Sequence, residues 1–456
     1  MKLRIEKAIY GGAGLAHIPE DASQSGLAGK AVFVPYSLPG ELVEAHLADD
    51  RKSFATAEID SVLEISPQRI PPGCEYFPLC GGCHYQYAGP AYQLEMKRAI
   101  LRDALERARL DQQPAIIGSL DSEPWGYRNR IRLHIARDQH SGAQAGAAEG
   151  FRLCYRVRSS HRNLPVTHCP IAAPILERAI AAVLRTGAKT GLPGRWTEIE
   201  FFTNSNQDTL LVSLWTDSAP GRSGKRLQPE SLNHFSTTLQ SELPELTGVG
   251  AFFSGEQGDR LLSHWGQPSL LYSVSGRSYQ VSLGSFFQVN RFLIPGLVDL
   301  VARDPSGAVR RGRLAWDLYA GAGLFSLALN FEQITAVEAA PASAADLRRN
   351  LAAASRRVVQ STTLDFLRRE ARLGSRMERP DLVLVDPPRA GLGKEVCALL
   401  AQIAAPVITY VSCDPATLAR DLQTLLQSGY RIETMYLVDL FPQTFHLESV
   451  TTLTRG

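Results

Sequence analysis

The sequence has no apolar run approaching the length of a membrane span, which excludes a helical membrane protein. Its opening residues, MKLRIEKAIYGG, lack the apolar segment of a secretory signal, so a cytoplasmic location is expected. Net charge is nearly absent at +2, too little to announce a nucleic-acid partner. Arg nevertheless outnumbers Lys, and Arg is the better ligand for phosphates and stacked bases, so composition permits nucleic-acid binding without demanding it. No internal repeat is present. Cysteines number seven, an odd count that argues against a disulfide framework and for metal or catalytic use of some of them. What is present suits a folded protein: 456 residues, 44% hydrophobic and 21% charged, enough for two or three domains.

Three textures follow one another. Residues 1–66 read as short strands broken by Gly and Pro (KLRIEKAIY, KAVFVPYSLPGELVEAHL, SFATAEIDSVLEI). That pattern predicts a small OB-like β-barrel that binds oligonucleotides or only packs against its neighbour. Residues 67–275 open with a Pro/Gly/Cys-rich loop and a helix over AYQLEMKRAILRDALERARL, then continue as a mixed α+β domain. Its polar stretches DQHSGAQAGAAEG and TDSAPGRSGKR read as exposed loops. Residues 276–456 alternate short apolar strands with helices, predicting an α/β Rossmann-like domain with a parallel sheet.

In this last region the strand RLAWDL runs into YAGAGL (319–324) and an expected helix, LFSLALNF. Gly321 and Gly323 permit a tight turn and close approach of a ligand to the backbone. Glu338 ends the following strand, where a carboxylate can accept both hydroxyls of a ribose. A dinucleotide site wants a third glycine at position 326, which is Ser, so S-adenosylmethionine fits better than NAD. Asp386 in VDPPR (385–389) ends the strand DLVLV, and two prolines hold its loop open at the sheet's carboxyl edge. Enzymes methylating exocyclic amines place an aromatic residue after the Pro-Pro pair; Arg389 stands here instead.

Cys413 follows the apolar strand PVITYVS and precedes Asp414-Pro415, so it lies at the same edge. Buried cysteines at strand ends are common, and Cys397 reads as such a packing residue. A sharper role is available to Cys413. Carbon 5 of uracil is a poor nucleophile until a thiolate adds at C6, and a base must later remove the C5 proton. Glu448 in FPQTFHLESV is the candidate base, and alternation would put His446 and Glu448 on one face of a strand. From spacing alone Glu448 reads equally as a solvated edge residue. Near the front, Cys74-x5-Cys80-Gly-Gly-Cys83 is compact enough to wrap a metal group, with Cys169 or Cys154 as a fourth thiolate and zinc or iron–sulfur as the group. The five-residue gap argues against the C-x3-C-x2-C spacing of radical enzymes.

The motifs SFFQVN (285–290), DLYAGAGLFSL, LVDPPRAGLG, YVSCDPATLARDL and FPQTFHLESV, in this order, closely resemble the RNA uracil-5-methyltransferase family. The cysteine cluster, WGYRNRIRLHI (125–135) and HCPI (168–171) extend the resemblance over nearly the whole chain. It is nearest to the branch with an N-terminal TRAM barrel and an iron–sulfur site, typified by the 23S rRNA (uracil-5-)-methyltransferases. The resemblance implies a class I methyltransferase fold, with Gln288, Tyr319, Leu324, Glu338, Asp365 and Asp386 lining the S-adenosylmethionine pocket. It also implies Cys413 as nucleophile, Glu448 as general base, and a [4Fe-4S] cluster on Cys74, Cys80, Cys83 and Cys169. Ala320 stands where family members often carry Cys. The implied partner is RNA, with 23S rRNA favoured over the tRNA T-loop that related cluster-bearing enzymes modify. No obligate protein partner is evident and a monomer is expected. Two other readings remain at this stage: an N-methyltransferase on a base amine, suggested by the DPP motif, and a non-enzymatic RNA-binding assembly factor.

Overall fold

The structure, a computed structural model, describes all residues except 20–27, 111, 138–149, 218–228, 256–257 and 353–354. The polar loops expected at 138–150 and 216–226 fall largely outside the described residues.

The first sixty-four residues form a six-stranded sheet whose inward positions alternate as the sequence does. Leu3, Ile5, Val32, Val34, Val43, Ala45, Ala55 and Ala57 build its core. The opening stretch pairs at one end with the strand Leu42–Asp50 and at the other with Ala13–His17, which closes the sheet into a barrel. The barrel's last strand, Phe54–Glu64, ends next to the expected boundary at residue 66.

A seven-stranded sheet follows, carrying the helices Pro174–Thr190 and Pro229–Glu242. Its residues Ile131, Leu133, Ile199, Phe201, Val212 and Leu214 bury against Ile175, Leu176, Ile180 and Phe235 of those helices. The expected boundary at 276 falls in the turn of a hairpin, between the paired strands Ser269–Val274 and Arg277–Ser282.

The third sheet has eight strands, ordered Arg356–Gln360, Asn330–Glu338, Arg311–Leu318, Leu382–Val385, Val407–Ser412, Glu448–Arg455, Tyr430–Val438 and Gly118–Leu120. All neighbours pair in parallel except Glu448–Arg455, which lies antiparallel between its two partners. The segment expected as a helix at 324–331 is instead a run of turns over 321–328. The next strand begins at Asn330, and i→i−4 bonds such as Leu327 to Gly323 are interrupted by an i→i−3 bond from Ala328 to Phe325.

The packing does not follow the expected division at 67 and 276. The helix Pro90–Arg107, begun by a proline at its first turn, packs Ile100, Leu101 and Leu105 into the core of the third sheet beside Leu418, Leu422 and Leu425. The strand Gly118–Leu120 extends that sheet's edge. Lys97 on this helix is fully buried and donates to Asp439 (2.6 Å) and to the carbonyl of Phe441 (2.9 Å). Lys97→Met strands the Asp439 carboxylate and should lower unfolding free energy by about 3–5 kcal/mol in chemical denaturation; a loss below about 1 kcal/mol would show that the pair does not join the two regions.

Candidate active site

The register of the third sheet gathers its strand ends. Leu318 pairs with Val337 and Val385, and Val385 with Tyr410, so Tyr319, Glu338, Asp386 and Cys413 emerge at one edge. Glu448–Arg455 runs the other way, with Ser449 opposite Ser412, so its first residue Glu448 arrives at the same edge beside Cys413. His446 lies in the preceding loop, not on that strand, and Glu448 is only 4% exposed, which corrects the reading of a solvated edge residue.

The turn after Leu318 is held by its own side chains. Tyr319, Gly321 and Gly323 all take positive φ (66°, 57° and 90°). A methyl on Gly323 would press on Leu347 at 2.8 Å, whereas one on Gly321 would meet nothing within 4 Å, so Gly321 faces open space. Glu338 accepts the Gly321 N–H (2.8 Å) on one oxygen and the Ala340 N–H (2.6 Å) on the other. Each oxygen keeps a lone pair for an incoming hydroxyl. Leu324 is buried and its carbonyl accepts from Tyr279 (3.1 Å). Gln288 is buried, and its backbone carbonyl accepts from the side chain of Asn129 (2.9 Å), just before the strand Arg130–Arg137 of the central sheet. Asp365 sits apart, in the first turn of the helix Thr363–Ala371. It is exposed, its carboxylate accepts from the Thr362 hydroxyl (2.7 Å), and Arg368 lies 3.8 Å away.

Three acids share the reaction end. Burial pushes Asp317 up to about 7, and it accepts from the Ser326 hydroxyl. Asp386 is likewise pushed up to about 7, by burial and by Asp317. Burial, then Asp386, raises Glu448 well above the usual carboxylate range, and Arg389 opposes the shift. Cys413 is pushed up to about 12 by burial, Glu448 and Asp386, again against Arg389. Neutral thiol is therefore the resting form, and added positive charge would release its proton. The loop carrying Arg389 is anchored by Asp421, which accepts the Leu392 N–H (2.7 Å), the Gly393 N–H (3.2 Å) and the Tyr410 hydroxyl (2.9 Å).

Two contacts here escaped sequence reasoning: that of Arg389 with His446, and that of Tyr10 with Cys413. An Arg389 nitrogen lies 3.3 Å from both ring nitrogens of His446, whose pKa is depressed to about 3 by burial and that cation. Tyr10 of the barrel donates to the Cys413 carbonyl (3.1 Å) and packs on Phe445, with ring centroids 5.1 Å apart. Arg389, which follows two prolines, and His446 were each marked in the sequence without their contact; nothing local marks Tyr10.

Cys74, Cys80, Cys83 and Cys169 surround one cavity of about 90 Å³, which Tyr155, His168 and Arg128 also line. Cys154 does not line it; its sulfur points at the Arg152 carbonyl (3.8 Å). Among the described residues no three His, Cys, Asp or Glu side chains close on a point as round a single ion. The four thiols instead ring a space, and the buried Arg128 Nε has no partner, so the cavity suits an anionic group larger than one ion. Cys397 is buried in the core, as expected.

Iodoacetamide labelling of Cys413 in the protein without cofactor, followed by mass spectrometry, should keep rising from pH 7 through pH 10. A plateau near the ordinary cysteine value of about 8.5 would contradict the raised pKa.

Among the described residues no helix is long and apolar enough to cross a membrane. Residues 272–456 match the family model described as tRNA (uracil-5-)-methyltransferase. The chain is 31% identical to the 23S rRNA (uracil(1939)-C(5))-methyltransferase RlmD of Chromohalobacter salexigens, covering 99% of this chain and 89% of that one. It is also 31% identical to an uncharacterized RNA methyltransferase of Aquifex aeolicus, covering 99% and 98%. The crystal structure of Pyrococcus abyssi tRNA (uracil-54, C5)-methyltransferase with S-adenosyl-L-homocysteine shares the fold across the full length of both chains, with a TM-score of 0.70 at 21% identity. With relatives this similar over nearly their whole length and the family model covering seven of the third sheet's eight strands, the chain belongs to the RNA uracil-5-methyltransferase family.

Proposed function

We propose that this protein methylates carbon 5 of a uridine in 23S rRNA, through a covalent bond between Cys413 and C6. The observation that carries the reading is the pairing of Ser412 with Ser449, which sets Cys413 and Glu448 side by side at the ligand edge of the sheet. The rRNA target is supported by the named activity of the Chromohalobacter relative, and the tRNA T-loop is the alternative.

S-adenosylmethionine supplies the methyl group and a sulfonium charge. Gln288, Tyr319, Leu324, Glu338 and Asp386 are proposed to hold it, with Glu338 on the ribose hydroxyls. Asp365 belongs to the proposed set through a segment that would have to turn inward from its exposed helix end. Positive charge brought next to Asp386 and Cys413 acts in the same sense as Arg389 and favours the thiolate. The thiolate would add to C6 and the C5–C6 electrons would shift toward O4; returning through C5 they would take the methyl group, whose bond to the sulfonium sulfur breaks with S-adenosylhomocysteine leaving. The Glu448 carboxylate then takes the C5 proton, the double bond re-forms and the thiolate leaves. Burial of Glu448 raises its basicity, which suits a carbon acid.

The barrel is proposed to be a TRAM domain that holds RNA near the site, since its Tyr10 touches the Cys413 backbone. The four-thiol cavity is proposed to hold a [4Fe-4S] cluster, and the unpartnered Arg128 Nε offers a donor to its negative charge. Anaerobically purified protein should be brown and contain iron and sulfide; colourless protein carrying zinc would overturn the assignment.

In cells lacking the gene, the wild-type protein should restore 5-methyluridine to 23S rRNA and Cys413→Ala should not. Restoration in tRNA would move the substrate, and restoration by Cys413→Ala would overturn the covalent route. Glu448→Gln should turn over about 10²–10⁴-fold more slowly and accumulate a methylated protein–RNA adduct on denaturing gels.

A further inference from the structure

We infer that the group held by Cys74, Cys80, Cys83 and Cys169 sets the position of loop 439–447, and through it Glu448, so that the metal loop is a positioning element of the methyl-transfer site. The two lie against each other. Directly after Cys83, the backbone N–H groups of His84 and Tyr85 both donate to the carbonyl of Gln443, at 2.7 and 2.9 Å. Gln443 sits at a positive φ of 68°, a conformation a glutamine holds only when its surroundings impose it. Gln93 completes the clamp: its amide donates to the Gln443 side chain (3.0 Å) and its oxygen accepts the Gln443 N–H (2.8 Å). One residue earlier, the Pro442 carbonyl accepts from the Tyr127 hydroxyl (3.1 Å).

Arg128 makes the second link. Arg128 lines the cysteine cavity, and its guanidinium lies 5.7 Å from the centre of the Phe441 ring, so one buried cation borders both the cavity and the loop before Glu448. His84 also packs edge-on against Phe445, with centroids 4.6 Å apart. Gly81 and Gly82 precede Cys83; without a group pulling four thiols together the chain keeps the Gly81 N–H bond to the Arg156 carbonyl (3.0 Å), but from Cys83 to Tyr85 it loses its hold at the cavity. The clamp on Gln443 would loosen with it, five residues before Glu448.

The inference rests on the cluster reading above; the exchange measurement is independent of whether Glu448 is the base. Hydrogen–deuterium exchange is compared between the iron-loaded enzyme and the same enzyme stripped with ferricyanide and EDTA. Stripping should speed exchange across 441–448 by about tenfold or more, while Arg356–Gln360 at the far edge of the sheet stays as it was. Unchanged exchange at 441–448 with a loosened 74–85 would overturn the linkage. Should stripping open the whole protein, Gln93→Leu in loaded enzyme decides. It should keep its iron content and S-adenosylmethionine affinity, exchange faster at 443–448, and lose between about tenfold and a hundredfold in kcat. Exchange and kcat both unaltered in Gln93→Leu would likewise overturn it.

Discussion

Backbone pairing of Glu448–Arg455 in the antiparallel sense, between two strands running the other way, is the constraint from which the site follows. In a parallel sheet every strand delivers its last residue to the ligand edge. A reversed strand delivers its first. Glu448 therefore arrives next to Cys413 without any loop reaching across, and its side chain lies in the interior where its pKa rises. Had the strand been parallel, Arg455 would occupy that edge and the thiol would face no carboxyl group from this strand. Because side chains alternate, a one-residue slip in the Ser412–Ser449 pairing would also turn Glu448 to the other face.

The same edge is costly to build. Asp317, Asp386, Glu448 and Cys413 crowd together with Arg389 as the nearby cation that lowers both Glu448 and Cys413. Burial moves each of these groups toward its neutral form, which lessens the repulsion within the fold and keeps the thiol unreactive until further positive charge arrives. In the proposed mechanism a cationic methyl donor would supply that charge, so donor binding and nucleophile activation would be one event. Rigidity comes from elsewhere in the chain: Lys97, Gln93, His84, Tyr85 and Tyr127 grip the loop before Glu448 at 439, 441, 442 and 443.

Much of this edge was legible in the sequence because each strand there is a short apolar run ending in a distinctive turn. YAGAGL, Glu338, VDPPR and Cys413 could be placed by that rule alone, and the structure sets them together. Glu448 was ambiguous because alternation cannot say whether a strand is interior or edge; the flanking strands decided it. The stretch 324–331 has helical spacing, but the distance to Asn330 leaves room only for turns. Gly118–Leu120 is too short for any pattern, and its place beside Tyr430–Val438 depends on residues more than three hundred positions away. The Lys97–Asp439 pair and the Tyr10 contact are equally non-local, with separations of 342 and 403 residues. Spacing alone left Cys169 and Cys154 open as the fourth thiol; the resemblance through HCPI chose Cys169, and it is Cys169, not Cys154, that lines the cavity.

The central claim is that a Cys413 adduct makes C5 reactive and that the C5 proton leaves once the methyl group has been transferred. RNA transcribed with [5-³H]uridine tests it directly, by counting tritium released to water against methyl groups incorporated. The account predicts one tritium released per methyl group, with none released by Cys413→Ala. Methyl incorporation with the tritium retained would mean that the methyl group went elsewhere on the base, and would contradict it.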